Sequence, residues 1–234
     1  MQPVVLDFGC GAGGVSMGYH QAGYQSIGVD IEPQPHYPFE FVQADMLEAA
    51  EELANSGCWL LPPGQRGQRR CVDLAEIDLV HVSAPCQRWS KQLRCRPELR
   101  EKYPDLITPM RPLLEEMGKP YVMENVEGAP LRDPVMLCGT MFRRELYRHR
   151  LFETGNGVSL PQLPHPPHVK RASRAGHWEP GTVMSISGHI APIAMARELM
   201  GIDWTTREEL AEAIPVYFSE WVGLQVRSQL LAAA

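Results

Sequence analysis

The chain has 234 residues and a formal net charge of −6. That length suits one α/β domain with a small insert, and the acidic balance argues against a non-specific nucleic-acid binder. No apolar run approaches the roughly 18–20 residues of a membrane span, and six scattered cysteines without paired spacing read as reduced thiols.

Residues 4–8 (VVLDF) form an apolar, β-branched stretch, so the chain opens on a strand with no room for a targeting peptide. A cytoplasmic protein is expected. Gly9-Cys10-Gly11-Ala12-Gly13-Gly14 follows at once, then a helix pattern over 15–22. Strand, glycine turn and helix is a nucleotide-binding arrangement, because glycine permits the tight turn and the close approach of backbone to ligand. A purely structural turn has the same look. A second strand over 26–29 ends on Asp30, about 20 residues after the glycines, where a carboxylate can take a ribose hydroxyl pair. No Lys-Ser/Thr follows the glycines, so this is not a triphosphate loop. A third strand over 39–43 leads to Asp45 and a helix over 46–54. Asp45 is either an N-cap or an acceptor for an adenine amino group. Residues 56–73 are rich in Gly, Pro and Arg and read as an exposed loop.

The strand over 77–82 runs straight into Pro85 and Cys86. Carboxyl ends of strands are where ligands sit in an open parallel sheet, and Pro85 stiffens the turn. Gln87, Arg88, Trp89, Ser90 and Lys91 follow as a polar, cationic loop. Positive charge lowers a thiol pKa, so Arg88 and Lys91 are expected to activate Cys86, against the alternative of an inert buried cysteine. A helix over 106–117 stops at Gly118 and Pro120. The next strand, 121–123, delivers Glu124 and Asn125 to the same sheet edge as Cys86. Further strands are predicted over 135–137 and 147–152. Period-two geometry would put Arg148 and Arg150 on one face, suited to phosphate or carbonyl oxygens or simply to a charged edge strand.

Cations are segregated. Residues 88–111 carry seven Lys/Arg against three Asp/Glu, and residues 143–174 carry seven against two. Such a chain can present one cationic face. Residues 154–203 change composition: PQLPHPPHVKRASRAGHW is proline- and histidine-rich and aperiodic. His165, His168, His177 and His189 have no nearby cysteine in sequence and no helical pairing, so no metal is expected. A short strand and turn over 185–189 and helices over 191–200, 206–213 and 217–231 complete the chain.

The ordered set DFGCGAGG, VD, AD, PCQ, ENV and RHR resembles the motif series of the DNA (cytosine-5)-methyltransferases, short phage-type members in particular. It covers residues 4–153, with a weaker tail at 214–223, and the PCQ–ENV pair is its most specific part. The resemblance implies an α/β, class I S-adenosylmethionine-dependent, Rossmann-like sheet with a small target-recognition insert. Residues 1–153 with 206–234 would bind cofactor and catalyse, and 154–205 would recognise the target. It also implies S-adenosylmethionine as donor and S-adenosylhomocysteine as product. Phe8, Gly9, Gly11, Gly13 and Gly14 would cradle the methionyl part. Asp30 would hold the ribose, and Ile31, Asp45, Met46 and Ile214 would surround the rest of the donor. Cys86 would add to C6 of a flipped-out cytosine, Glu124 would bond its N3 edge, and Asn125 would orient the Pro85-Cys86 turn. Arg150 and Arg148 would contact the base or a flanking phosphate. Gln87, Arg88, Ser90, Lys91, Lys170, Arg171 and Arg174 would touch double-stranded DNA, and a monomer is expected. Two positions depart from the family: Leu146 stands where it often has Gln, and Glu212 where it has Asn. RNA, single-stranded DNA or a modified donor is the alternative for substrate, and a non-catalytic binder the alternative to an enzyme.

Overall fold

The computed structural model describes residues 2–61, 71–90, 97–173, 176–188 and 190–233. In chain order it contains β1 (Val4–Phe8), α1 (Gly14–Gln21), β2 (Gln25–Asp30), β3 (Glu40–Gln43), α2 (Met46–Ser56), β4 (Cys58–Leu60), β5 (Cys71–Asp73) and β6 (Leu79–Ser83). Then come α3 (Ile107–Met117), β7 (Tyr121–Asn125), β8 (Val135–Cys138), β9 (Leu146–Tyr147) and β10 (His149–Gly155). β11 (Met184–Ser185), α4 (Ile193–Met200), α5 (Arg207–Glu212) and α6 (Val216–Ala233) finish the chain. None of these helices is long and apolar enough to cross a membrane.

Seven strands make one sheet in the order β3-β2-β1-β6-β7-β10-β8. The first five are parallel, whereas β10 is antiparallel to both β7 and β8. The chain builds outward from β1 to β3, then returns to start the other half at β6. The carboxyl ends of β1 and β6 therefore flank the point where strand order reverses, and a crevice opens there.

Strand alternation supplies a core on both faces. Leu6 and Phe8 of β1 pack with Leu53 of α2 and Met110 and Leu114 of α3. Val5, one residue away, faces Tyr19 of α1 and Phe218 and Val222 of α6. Glycine lets α1 and α6 approach closely: a Cβ on Gly18 would sit 2.2 Å from the Val216 carbonyl oxygen. Arg227 Nη1 donates to the Ala22 carbonyl at 2.8 Å and Tyr24 Oη to that of Gly223 at 3.3 Å, locking the pair. A smaller cluster gathers Leu146, Met184, Ile186, Met200, Leu210 and Val216 around the parallel β9–β11 pair.

Two expectations are corrected. The stretch 56–73 is not only loop: β4 and β5 pair antiparallel and bury Trp59 and Val72, while 62–70 lie outside the described residues. The single strand expected over 147–152 breaks at Arg148. β9 pairs with β11 in one sheet, and β10 with β7 and β8 in another. Period-two geometry does not hold across that break: Arg148 lies between the two strands and Arg150 within β10, although both line the same crevice.

Candidate active site

A crevice of about 1270 Å³ lies over the carboxyl ends of β1, β2, β6 and β7. On one side it is lined by Gly9, Gly11, Gly14, Asp30, Ile31, Asp45 and Met46, with Ile214 arriving ahead of α6. Gly9 takes φ +71°, and a Cβ there would meet the Ser83 carbonyl oxygen at 2.3 Å. Only glycine satisfies both demands. Gly11 N–H donates to Asp30 Oδ2 at 3.0 Å, and Glu32 N–H donates to Asp30 Oδ1 at 3.0 Å. Asp30 thus ties the glycine turn to the end of β2 while facing the crevice. Asp45 is an N-cap in fact: its Oδ1 accepts from Leu47 and Glu48 N–H at 2.8 and 3.2 Å. It lines the crevice as well, so the two roles do not exclude each other. Phe8 is fully buried in the core and Gly13 packs on Tyr37 and Pro38; neither side chain position lines the crevice.

On the other side, Cys86 follows β6 and Glu124 is the last residue but one of β7. Ser83 and Glu124 are register partners, so adjacent strands deliver the thiol and the carboxyl together. Asn125 lies behind them, fully buried; its Nδ2 donates to the Ala84 carbonyl at 2.8 Å and pins the turn that carries Pro85 and Cys86. From β10, Arg150 Nε comes to 3.0 Å from Glu124 Oε1. The N–H is not aimed at that oxygen, which receives no aligned hydrogen bond among the described residues despite its burial. Burial raises the Glu124 carboxyl above its ordinary range against the pull of Arg150 and Arg148.

The electrostatics of Cys86 differ from expectation. Burial raises its thiol; Arg150 acts against this, and Glu124 adds to it. Among the described residues, the cations that oppose burial are Arg150 and Arg148, not Arg88. Arg88 Nη1 donates to the carbonyls of Arg100 and Tyr103 at 3.1 and 2.9 Å and so holds the following turn in place. Arg148 is also placed otherwise than expected. It is buried, and its guanidinium donates to the carbonyls of Ile186, Ala211, Glu212 and Ala213. It fastens the β11 turn to the end of α5 at the crevice wall. Gln87 and Ser90 line the crevice. Lys170 pairs with Glu145 and Arg171 with Glu179 at the surface. Lys91 and Arg174 lie outside the described residues.

The structure adds groups that sequence reasoning missed. Tyr147, His149 and Glu127 line the crevice, and His149 Nδ1 lies 3.1 Å from Glu127 Oε1. Cys138, His149, His165 and His168 also converge, their donor atoms all within 4.8 Å of one another. The spacing His165-Pro166-Pro167-His168 was a visible signal; its cysteine partner lies on a distant strand. Beneath the site, Arg111 of α3 and Glu153 of β10 form a buried ion pair at 2.8 Å.

No family model matches the sequence, and no curated protein matches it. Solved structures do. A protein described as a prophage-encoded DNA modification methyltransferase of E. coli superposes with a TM-score of 0.63 at 14% identity, over 98% of this chain and 99% of the other. A triple mutant of Spodoptera frugiperda DNMT2 gives 0.60 at 10% identity over 96% and 99%. The Entamoeba histolytica methyltransferase EhMeth gives 0.56 at 10% identity over 98% and 99%. The architecture is therefore the α/β class I S-adenosylmethionine-dependent methyltransferase fold.

Proposed function

We propose that this chain is a DNA (cytosine-5)-methyltransferase that uses S-adenosylmethionine. The observation that carries this reading is the meeting of Cys86, Glu124 and Arg150 from three neighbouring strands, on a turn pinned by Asn125, across one crevice from Asp30. The prophage neighbour's description favours DNA as the polymer.

The donor side suits an adenosyl group. Ile31 is apolar yet 61% exposed, standing beside Asp30 at the crevice rim as a platform for a base. Asp30 would hold the ribose diol, and Asp45 the exocyclic amino group of the base. When bound, the donor supplies an electrophilic methyl group on a sulfonium.

The chain's own residues do the rest. Cytosine C5 is a weak nucleophile, and a thiolate added at C6 makes it enamine-like. Cys86 gives its proton to water and forms that S–C6 bond, and the electron pair of the C5–C6 double bond moves onto the ring. Protonated Glu124 donates to N3 and stabilises the charge that builds on the ring. Arg150, aligned beside Glu124, contacts the O2 edge. Asn125 fixes the thiol's direction of attack. After C5 is methylated, water takes the C5 proton, the C–H electron pair restores the C5–C6 double bond, and the S–C6 bond breaks to release Cys86 as its thiolate. A base inside a duplex has to be flipped out to reach this pocket. Residues 154–205, with Lys170 and Arg171, serve as the target-recognition region in this reading, and Gln87 and Ser90 flank the flipped base.

The test is a trapped adduct. A duplex carrying 5-fluorocytosine cannot lose fluorine from C5, so with donor present the chain should become covalently attached, and Cys86→Ser should not. Adduct formation on RNA but never on DNA would overturn the polymer assignment. An adduct that survives in Cys86→Ser would overturn the nucleophile.

A further inference from the structure

The register of β8 and β10 sets Cys138 directly opposite His149. Farther along, His165-Pro166-Pro167-His168 comes back to the same spot, its prolines fixing the backbone between the two imidazoles. His168 Nε2 lies 3.0 Å from His165 Nε2, 3.5 Å from His149 Nε2 and 3.6 Å from Cys138 Sγ. Hydrogen bonding cannot account for this. A ring nitrogen offers one proton or one lone pair, so His168 Nε2 can satisfy one of its three neighbours. A cation at the centre satisfies all four donors at once. The spacing agrees as well: tetrahedral zinc with Zn–N about 2.05 Å and Zn–S about 2.3 Å has N···N edges of about 3.3 Å and S···N edges of about 3.6 Å.

We propose that Cys138, His149, His165 and His168 form a zinc site. Four protein ligands complete a tetrahedron and leave no open position, so the metal's role is structural. The surroundings fit. Glu127 Oε1 at 3.1 Å from His149 Nδ1 fixes the tautomer that turns the Nε2 lone pair toward the metal. Thr140 Oγ1 donates to Cys138 Sγ at 3.3 Å, which favours the thiolate. The Tyr147 ring packs against His149 and His168, with centroids 4.8 and 4.7 Å away, and closes one wall. Such a metal would staple the segment carrying His165 and His168 to the sheet edge, one residue from Arg150. The expectation of no metal rested on the lack of a cysteine near these histidines in sequence; the fold brings one from β8.

The experiment uses the full chain, purified without a histidine tag. Elemental analysis should find about one zinc per chain. Cobalt(II) put in its place should give intense tetrahedral visible bands and a thiolate-to-cobalt charge-transfer band in the near ultraviolet. Cys138→Ser should lose the charge-transfer band, His168→Ala should lose most of the bound metal, and His177→Ala should keep both. Folded wild-type chain that takes up no stoichiometric zinc would overturn the proposal. So would a cobalt spectrum with weak octahedral bands and no charge transfer, which decides the matter even if both ligand variants fail to fold.

Discussion

Glu153→Gln is a sharp test of how the sheet edge beneath the crevice is held. Glu153 sits on β10, three residues from Arg150, with its side chain 2% exposed; its partner Arg111, on α3, is 7% exposed. Glu153 accepts from Arg111 Nε and Nη2 at 2.8 Å each, from Arg132 N–H at 2.7 Å and from Tyr121 Oη at 3.4 Å. Glutamine keeps the shape but replaces one acceptor with a donor that faces other donors, and it leaves the Arg111 charge buried without a counterion. Breaking a buried pair from one side costs about 3–5 kcal/mol. At this chain length each kcal/mol lowers Tm by roughly 2–4 °C, so a fall of roughly 6–20 °C is expected. Urea titration at neutral pH measures the difference directly. Adding Arg111→Met should recover part of the loss, since no unpaired charge remains. The pH dependence has a defined sign. Burial pushes the Glu153 carboxyl up, but hydrogen bonds from Arg111 and Arg132 outweigh it and hold the pKa below the ordinary value. Its contribution is therefore present above the ordinary carboxylate pKa and disappears as pH falls through the lowered one. A cost under about 1 kcal/mol at neutral pH would refute the reasoning, because it would mean that the pair is solvated in practice.

Asp7 gives the opposite sign: fully buried, with Oδ1 unpartnered among the described residues, its pKa is raised from 3.8 to about 7, chiefly by burial. The folded chain keeps that proton while the unfolded one loses it, so stability falls between those values by about 4 kcal/mol. Asp7→Asn should flatten this slope, and parallel wild-type and variant curves from pH 4 to 8 would contradict it. Asn125→Ala should cost about 1–3 kcal/mol by orphaning the Ala84 carbonyl, and should lower kcat more than it raises KM; an unchanged kcat would mean the turn needs no pin. Asp30→Ala should weaken donor binding by about 1.5–3 kcal/mol, and calorimetry showing equal affinity would place the ribose elsewhere.

Strand-end residues were legible because the signal is local. An apolar run followed by Asp30, Cys86 or Glu124 announces both the strand and what stands at its end. Asn125 behind the turn followed from the family resemblance. What escaped was set by contacts distant in sequence. Nothing near Arg148 says that the strand breaks there and that its guanidinium turns to carbonyls some 38 to 65 residues away. Arg88 looked like a free cation because its acceptors are backbone oxygens, which carry no sequence signature. Arg111 and Glu153 meet across 42 positions. Cys138 joins the histidines only through the pairing of β8 with β10.

The α1–α6 contact also sets an order of events during synthesis. Until α6 has left the ribosome, Tyr19 and Ala22 of the first βαβ unit have no partner for their outer face. The bond from Arg227 to Ala22 closes a loop of 205 residues. Relative to a loop one tenth as long, that closure carries about 2 kcal/mol of additional entropy cost. A nascent chain of this protein therefore presents the apolar face of α1 to chaperones until α6 has been made.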